Sequence, residues 1–506
     1  MKKSRLLLLL ATTALGAGML AGCGQDVKDT GQVIILWSTF NDTYQTVINN
    51  AIKSFRKAHP EYIVKNVKQN GSYDDLKNMA VKGAAGGDYP DLIVAYPDSV
   101  ADFITAGIAR DITPLMEDEE IGWNETDLND IPKGYIEEGQ NYAIPGTYSL
   151  PICKSTEAMF YNREILVGLD LSDIDDEIND GDPLTDEYIQ SLTWDELLDK
   201  LCPAIMEYND KQPADKKILT PSADYQSTWG IVGYDSDDNL FITLAEQYDL
   251  PYTSINQETG AGSVDFVEKD DQGRFKDVLP GYMNLMKKLA KAYEKKYFTT
   301  TGTIGKRANY VFTTGGMLFS IGSTGGVKYQ YNDSDGAHQD VGVAPIPQFD
   351  TKAPKAINQG PSIAFLDRGA TEQIRDSHAK GAWLLYKEWT GTSFATQWAM
   401  TTGYAPIRKS VSESQAFIDY SNPDKQKEKS LEKVNALTAR YVAKNIDSLF
   451  SSPVYSGSSK ARTGVGGIIA TIFKDGHYPL DEDATKMKAF EKVVKDTFEK
   501  GYSNSI

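Results

Sequence analysis

Cysteine and histidine are nearly missing from this chain: three of the first and four of the second in 506 residues. So few thiols exclude a disulfide-stapled scaffold. The histidines, His59, His338, His378 and His477, show neither metal-ligand spacing nor the HExxH pattern of a zinc protease. Positive charge is also short. Lys and Arg number 52 against 71 Asp and Glu, a formal net charge of −19, which excludes a nucleic-acid-binding surface. No serine sits in a GxSxG elbow. The run Gly302 to Arg307 has Thr300 where a phosphate loop needs its first glycine and Arg307 where it needs Ser or Thr. The acidic stretch from Asp176 to Glu187 fails as a calcium loop, because Ile178 falls at the third ligand position. No metal or cofactor is expected. With so many carboxylates some pairs are bound to lie close, so a glycosidase pair cannot be read from spacing.

What is present begins at the N-terminus. Lys2, Lys3 and Arg5 precede an apolar Leu6 to Leu20, then Leu20-Ala21-Gly22-Cys23 and polar Gly24-Gln25-Asp26. Residues 1–22 read as a signal peptide whose cleavage site resembles a bacterial lipobox, with Cys23 lipidated. Residues 23–32 are then a tether, and the mature protein sits on the extracytoplasmic face of the cell membrane through its anchor. No later run reaches the ~18 apolar residues of a membrane span. Cys153 and Cys202 remain, read as free buried thiols with a bridge left open.

A chain this long exceeds one hydrophobic core, so two lobes are expected. Val33 to Trp37, Tyr62 to Val67 and Leu92 to Ala95 read as strands, alternating with helical patterns over Val47 to Ala58 and Leu76 to Ala84. This is α/β order, with ligand expected beyond the strand ends at Trp37 to Phe40 and Tyr96 to Ser99. Gly139 to Asn162 reads as two short strands, Tyr142 to Ile144 and Ala158 to Tyr161, with a bend at Pro145-Gly146 and Pro151 between them. On its own that is a hairpin or a lobe-to-lobe connector. Thr193 to Glu196 is a capping box. Phe312 to Gly326, Val341 to Pro347 and Ser362 to Leu366 supply further strands, and Thr401 to Lys409 is a second proline and glycine connector.

In this order the motifs LWSTF (Leu36 to Phe40), YPDLIVAY (Tyr89 to Tyr96), NYAIP (Asn141 to Pro145), FYNREIL (Phe160 to Leu166), GGMLFSIGS (Gly315 to Ser323), INQGPSIAFL (Ile357 to Leu366) and TTGYAPIRK (Thr401 to Lys409) resemble the family 1 extracellular solute-binding proteins of ABC importers. The resemblance implies a two-lobe periplasmic-binding-protein-like fold, each lobe a mostly parallel sheet flanked by helices, with solute in the cleft. It implies a first lobe of 33–147 and 360–403 and a second of 148–359 and 404–506. It also implies a monomer that hands a small hydrophilic solute to permease subunits, without catalysis.

Chain crossings are implied near Tyr148 to Lys154, Gly360 to Phe365 and Gly403 to Pro406. Ser155, Tyr404 and Arg462 match positions of the glycerol-phosphate-binding branch. Pro97 replaces that branch's acidic residue, with Asp98 beside it. Carbohydrate is the favoured solute, glycerol phosphate the second, and an exported glycoside hydrolase the reading from another class. The ligand-binding set is Trp37, Phe40, Tyr73, Trp229 and Tyr404 for stacking, and Asp98, Ser155, Ser323, Gln359, Gly360 and Arg462 for polar contact.

Overall fold

The computed structural model describes residues 31–506 apart from 143, 220–227, 257, 333–339, 477 and 479–482. The expected signal peptide, the expected lipidation site at Cys23 and most of the expected tether lie outside the described residues, as do His338 and His477.

The chain starts with β1 (Val33–Ser38), α1 (Asp42–Ala58), β2 (Ile63–Lys68), α2 (Tyr73–Gly83), β3 (Leu92–Ala95) and α3 (Pro97–Thr105). Local chemistry fixes these starts. Asn41 Oδ1 accepts from Tyr44 N at 3.1 Å, and Ser72 with Asp75 forms a reciprocal capping box. β1 pairs in parallel with β2 and β3. After β4 (Ser149–Pro151) the chain leaves this sheet and enters a second one through β5 (Glu157–Asn162). There it adds β6 (Val232–Tyr234), α4 (Asp237–Gln247), β7 (Phe298–Thr300), β8 (Phe319–Ser323) and β9 (Val341–Pro345). It then returns to the first sheet as β10 (Ser362–Phe365), followed by α5 (Glu372–Thr390) and α6 (Thr392–Thr402). The remainder includes α7 (Leu431–Lys444), α8 (Ser458–Val465) and α9 (Ala484–Ser505).

The strand orders are β2-β1-β3-β10-β4 and β7-β6-β8-β5-β9. The expected two-lobe α/β arrangement stands, but each sheet is mixed where mostly parallel pairing was expected. β10 runs antiparallel to β3 and β4, and β5 antiparallel to β8 and β9. Direct crossings force this: the strand that runs against its neighbours in each sheet is the one reached from the other lobe, β5 straight after β4 and β10 on the return, so neither is joined to a sheet neighbour by the helix that a parallel join requires. Of the expected strand Tyr142 to Ile144, Ala143 lies outside the described residues and Tyr142 and Ile144 are in no strand; the first strand described in that stretch is Ser149–Pro151, and Thr147 just before it is tied by its N–H to Asp111 Oδ1 at 2.9 Å.

The first lobe's sheet is covered on both faces: one core holds Ile34, Leu36, Phe55 and Trp383, the other Trp37, Ile93, Val100 and Phe103. The second lobe has one large core, including Phe160, Trp194, Phe241, Tyr282, Phe319 and Phe498. Cys153 and Cys202 are free and buried, one in each lobe's core. The acidic insertion is pinned rather than loose, since Ile178, Leu184 and Ile189 enter the second core and Asp186 pairs with Arg163 at 2.9 Å.

Two backbone bridges tie the crossings together, Ser155 to Gln359 and Lys154 to Ala405. Past Ala405 the chain does not stay in the second lobe. Ile407 packs in the first lobe's core, and Val411 and Phe417 pack with Ala395 and Ala399 of α6. Val434 of α7 is the next residue of this stretch to enter the second core. Packing therefore carries the first lobe to Ile152 and Cys153 on one side and through Phe417 on the other, where borders at 147 and 403 were expected.

Candidate functional site

Between the lobes lies a cavity of about 1160 Å³. Three helix starts frame it. α2 presents Ser72, Tyr73 and Asp74; α3 presents Pro97 and Asp98; α4 presents Asp237 and Asp238. Each helix starts beyond or beside the carboxyl end of a strand, where ligands gather in such sheets. The acidic residues in these first turns also sit favourably against the positive helix ends.

Seven of the expected residues line this space: Tyr73, Asp98, Ser323, Gln359, Gly360, Tyr404 and Arg462. Four do not. Trp37 is packed with Leu76, Ile93 and Phe103. Phe40 is turned under the first lobe, edge-on to Tyr44 at 5.7 Å and to Trp398 at 5.1 Å. Trp229 joins the second core. Ser155 is buried at the crossing, where its backbone pairs with Gln359. The strand-end rule thus holds at Tyr96 to Ser99 and not at Trp37 to Phe40. After β1 the turn is pulled inward, with Gln45 Nε2 donating to Ser38 Oγ at 2.8 Å.

The floor of the cavity is one hydrogen-bond network. Arg462 Nη1 donates to Asp238 Oδ2 at 2.9 Å and to Asn239 Oδ1 at 2.6 Å. Gln359 Nε2 donates to the same Asn239 oxygen at 2.7 Å, and Asn239 Nδ2 donates to Glu157 Oε1 at 3.0 Å. Tyr234 bonds the other oxygen of Glu157. Burial pushes the Glu157 carboxyl up to about 7, against the opposing effect of those two bonds. Burial also acts to raise Asp238, but the Arg462 charge together with hydrogen bonds from Ser236, Arg462 and the Asn239 N–H outweighs it and holds Asp238 below its usual range. Behind the wall, fully buried Lys154 pairs with Glu138, whose other oxygen accepts from Asn358 Nδ2 at 3.1 Å. Breaking such a pair leaves one uncompensated charge in a dry place.

The lobes touch across this space. Ser458 Oγ donates to Asp98 Oδ1 at 2.8 Å, and Arg462 Nε lies 3.7 Å from Asp98 Oδ2. Tyr404 leans on Gly325 of the second lobe, where an added Cβ would lie 2.7 Å from its ring. That glycine lets a ring from one lobe lie flush against the backbone of the other. Tyr73 and Tyr96 meet edge to face at 5.0 Å on the first-lobe wall.

Several lining residues escape a reading of the sequence: Glu138, Glu157, Asp235, Asp238 and Gln330. Asp235 to Asp238 carried a usable signal, a polar run between apolar Ile231-Val232 and a helix start, as at Tyr96 to Ser99. The phosphate-loop look of Gly302 is explained too. Its N–H is taken by Asp237 Oδ2 at 2.8 Å, so a carboxylate stands where a phosphate would bind.

The family model described as bacterial extracellular solute-binding protein matches residues 50–424. No curated protein matches the chain. Among solved structures, the GacH receptor of Streptomyces glaucescens, studied unliganded and with acarbose, is 15% identical at a TM-score of 0.59, over 92% of this chain and 98% of that one. UgpB from Mycobacterium tuberculosis, in complex with glycerophosphocholine, is 16% identical at 0.59, with the same coverage. Maltose-bound MalE3 of T. maritima is 14% identical at 0.58, over 91% of this chain and 98% of that one. At such identities these likenesses concern the fold.

Proposed function

This chain belongs to the bacterial extracellular solute-binding proteins, and from that premise we propose that it is a lipid-anchored receptor for a carbohydrate, which it delivers unchanged to the permease of an ABC importer. The observation that carries the carbohydrate reading is the composition of the cavity wall. Tyr73, Tyr96, Tyr329 and Tyr404 offer flat apolar faces, and carboxylates, amides and hydroxyls surround them. Sugars present C–H faces to rings and hydroxyls to acceptors, so both halves of that wall find partners. The volume exceeds what one pyranose fills. Solute bridging both lobes gains contacts that exist only when they meet, which favours the closed form. A closed pair of lobes is then the shape a permease would recognise.

Glycerol phosphate is the second reading, favoured by Arg462 on the cavity wall. It ranks lower because that guanidinium is already held by Asp238 and faces Asp98. A phosphate would have to displace those carboxylates or sit beside them.

The test is a thermal-shift panel of mono- and oligosaccharides, glycerol 3-phosphate and glycerophosphodiesters. A true ligand at ~100 times its Kd raises stability by about 2.7 kcal/mol and is recovered unaltered. Stabilisation by the phosphates alone would favour the second reading, and conversion of a sugar would point to an enzyme. Cys23→Ser should release the mature protein from membranes; retention would remove the lipid anchor from the proposal.

A further inference from the structure

Exposure rises steeply from the floor of the cavity to its lip. Glu157 at the floor is fully buried, and Tyr73, Tyr96 and Tyr404 are half-buried. Tyr329 is 60% exposed, although it lines the same space. That outer ring is braced without being covered. Lys328 Nζ stands 4.9 Å from its centroid and 5.9 Å from that of Tyr44 in the first lobe. The hydroxyls of Tyr73, Tyr96, Tyr404 and Tyr329 make no hydrogen bond among the described residues.

Between the Tyr404 ring and the Tyr329 ring the second lobe offers bare backbone. Neither Gly325 nor Gly326 has a positive φ, so chain conformation calls for glycine at neither place. Gly325 is accounted for by the Tyr404 ring that lies on it. Nothing in the protein accounts for Gly326 in that way: an added Cβ would meet only Tyr329 Cδ2, at an unstrained 3.8 Å. What its missing side chain provides is a smooth strip on which a ligand can lie close to the backbone. The cavity, at about 1160 Å³, is also larger than the ~300–1,000 Å³ usual for a small-molecule site.

Resting on the carbohydrate reading, we infer that the solute is a linear oligosaccharide held by one end. Its inner units lie on the cavity floor, its outer ones run over Gly325 and Gly326, and Tyr329 is the outermost subsite. A pyranose in such a chain turns a flat C–H face to a ring and its hydroxyls to the polar tips, so these tyrosines can serve successive units. A monosaccharide on the floor leaves both the strip and Tyr329 in water. Stacking on a ring as exposed as Tyr329 is weak, so its contribution is a few-fold in affinity rather than a hundredfold.

The experiment is calorimetric titration of the mature protein with sugar ladders from monomer to hexamer: α-1,4-glucose, β-1,4-glucose, β-1,4-mannose and β-1,4-xylose. In at least one ladder affinity should keep rising beyond the dimer, with the hexamer about tenfold or more tighter. Tyr329→Ala should cut that hexamer-to-dimer ratio to about a third or less. Gly326→Val, which the backbone accepts, should cut it as well, and both free variants should melt with the parent. Affinity that levels off at the monomer or dimer, or a ratio unchanged by Tyr329→Ala, overturns the inference and leaves the carbohydrate reading standing. So does binding of another monosaccharide when no ladder binds. Failure of every sugar in the wider panel overturns the carbohydrate reading itself.

Discussion

Arg462 holds Asp238 in its own lobe at 2.9 Å and stands 3.7 Å from Asp98 in the other. Together with the Ser458 bond to Asp98, this makes one carboxylate the point where α8 of the second lobe meets α3 of the first. The contact closes the cleft on one side. Asp98→Ala should therefore shift the solute-free protein toward an open form with a larger radius of gyration in small-angle scattering. A scattering profile identical to the parent's would count against this latch.

Glu157 makes the protein's stability depend on pH. Its folded pKa is about 7, above the ordinary 4.5, so the folded state keeps a proton that the unfolded chain has lost. That contribution is full below about pH 4.5 and is lost as pH rises toward 7, by on the order of 3 kcal/mol. Glu157→Gln, which cannot ionise, should flatten this slope in urea midpoints taken between pH 4.5 and 7.5. Parallel slopes for parent and variant would contradict the assignment.

Tyr404 is half-buried, 6.4 Å from Tyr44 between ring centroids and flush against Gly325. Tyr404→Ala should lower solute affinity by at least about tenfold, worth 1.4 kcal/mol, while costing the free protein only a few degrees of melting temperature. Gly325→Leu, a side chain driven into that ring, should weaken binding through the other lobe. Unchanged affinity in both variants would take this wall out of the site.

Much of the two-lobe plan could be read from the chain because alternating apolar runs and helix caps are local signals, as at Val33 to Ala58. The site was legible where the same logic applied twice, at a strand end running into a helix: Asp98 was found this way, and Asp235 to Asp238 could have been. What stayed hidden depends on long-range packing. Nothing near Trp37 says that Leu76, Ile93 and Phe103 will enclose it, and nothing near Trp229 points to the second core. Glu157 looks like an ordinary strand residue until Tyr234 and Asn239 are brought to it. The mixed pairing of the sheets was likewise invisible, because direction is set by which crossing joins which sheet.

Lys154 and Glu138 give a stability prediction independent of solute. Lys154→Met leaves Glu138 buried beside the crossings without its cation, at a cost of about 3–5 kcal/mol. Adding Glu138→Gln should recover most of that loss, because the stranded charge is then gone. Equal destabilisation in the single and double variants would mean that lost packing, rather than charge, sets the cost.

The place of β10 has a consequence for how the protein comes into being. Synthesis runs from the N-terminus, yet the strand that joins β3 to β4 is Ser362–Phe365, roughly two hundred residues after β4. Until it emerges, the first sheet is split down its middle with two bare edges, while the strands of the second are already complete. The second lobe must wait longer still, because Val434, Phe473 and Phe498, which complete its core, are made after β10. Neither lobe can close early, and a holding chaperone would find the first sheet's unpaired edges during that interval.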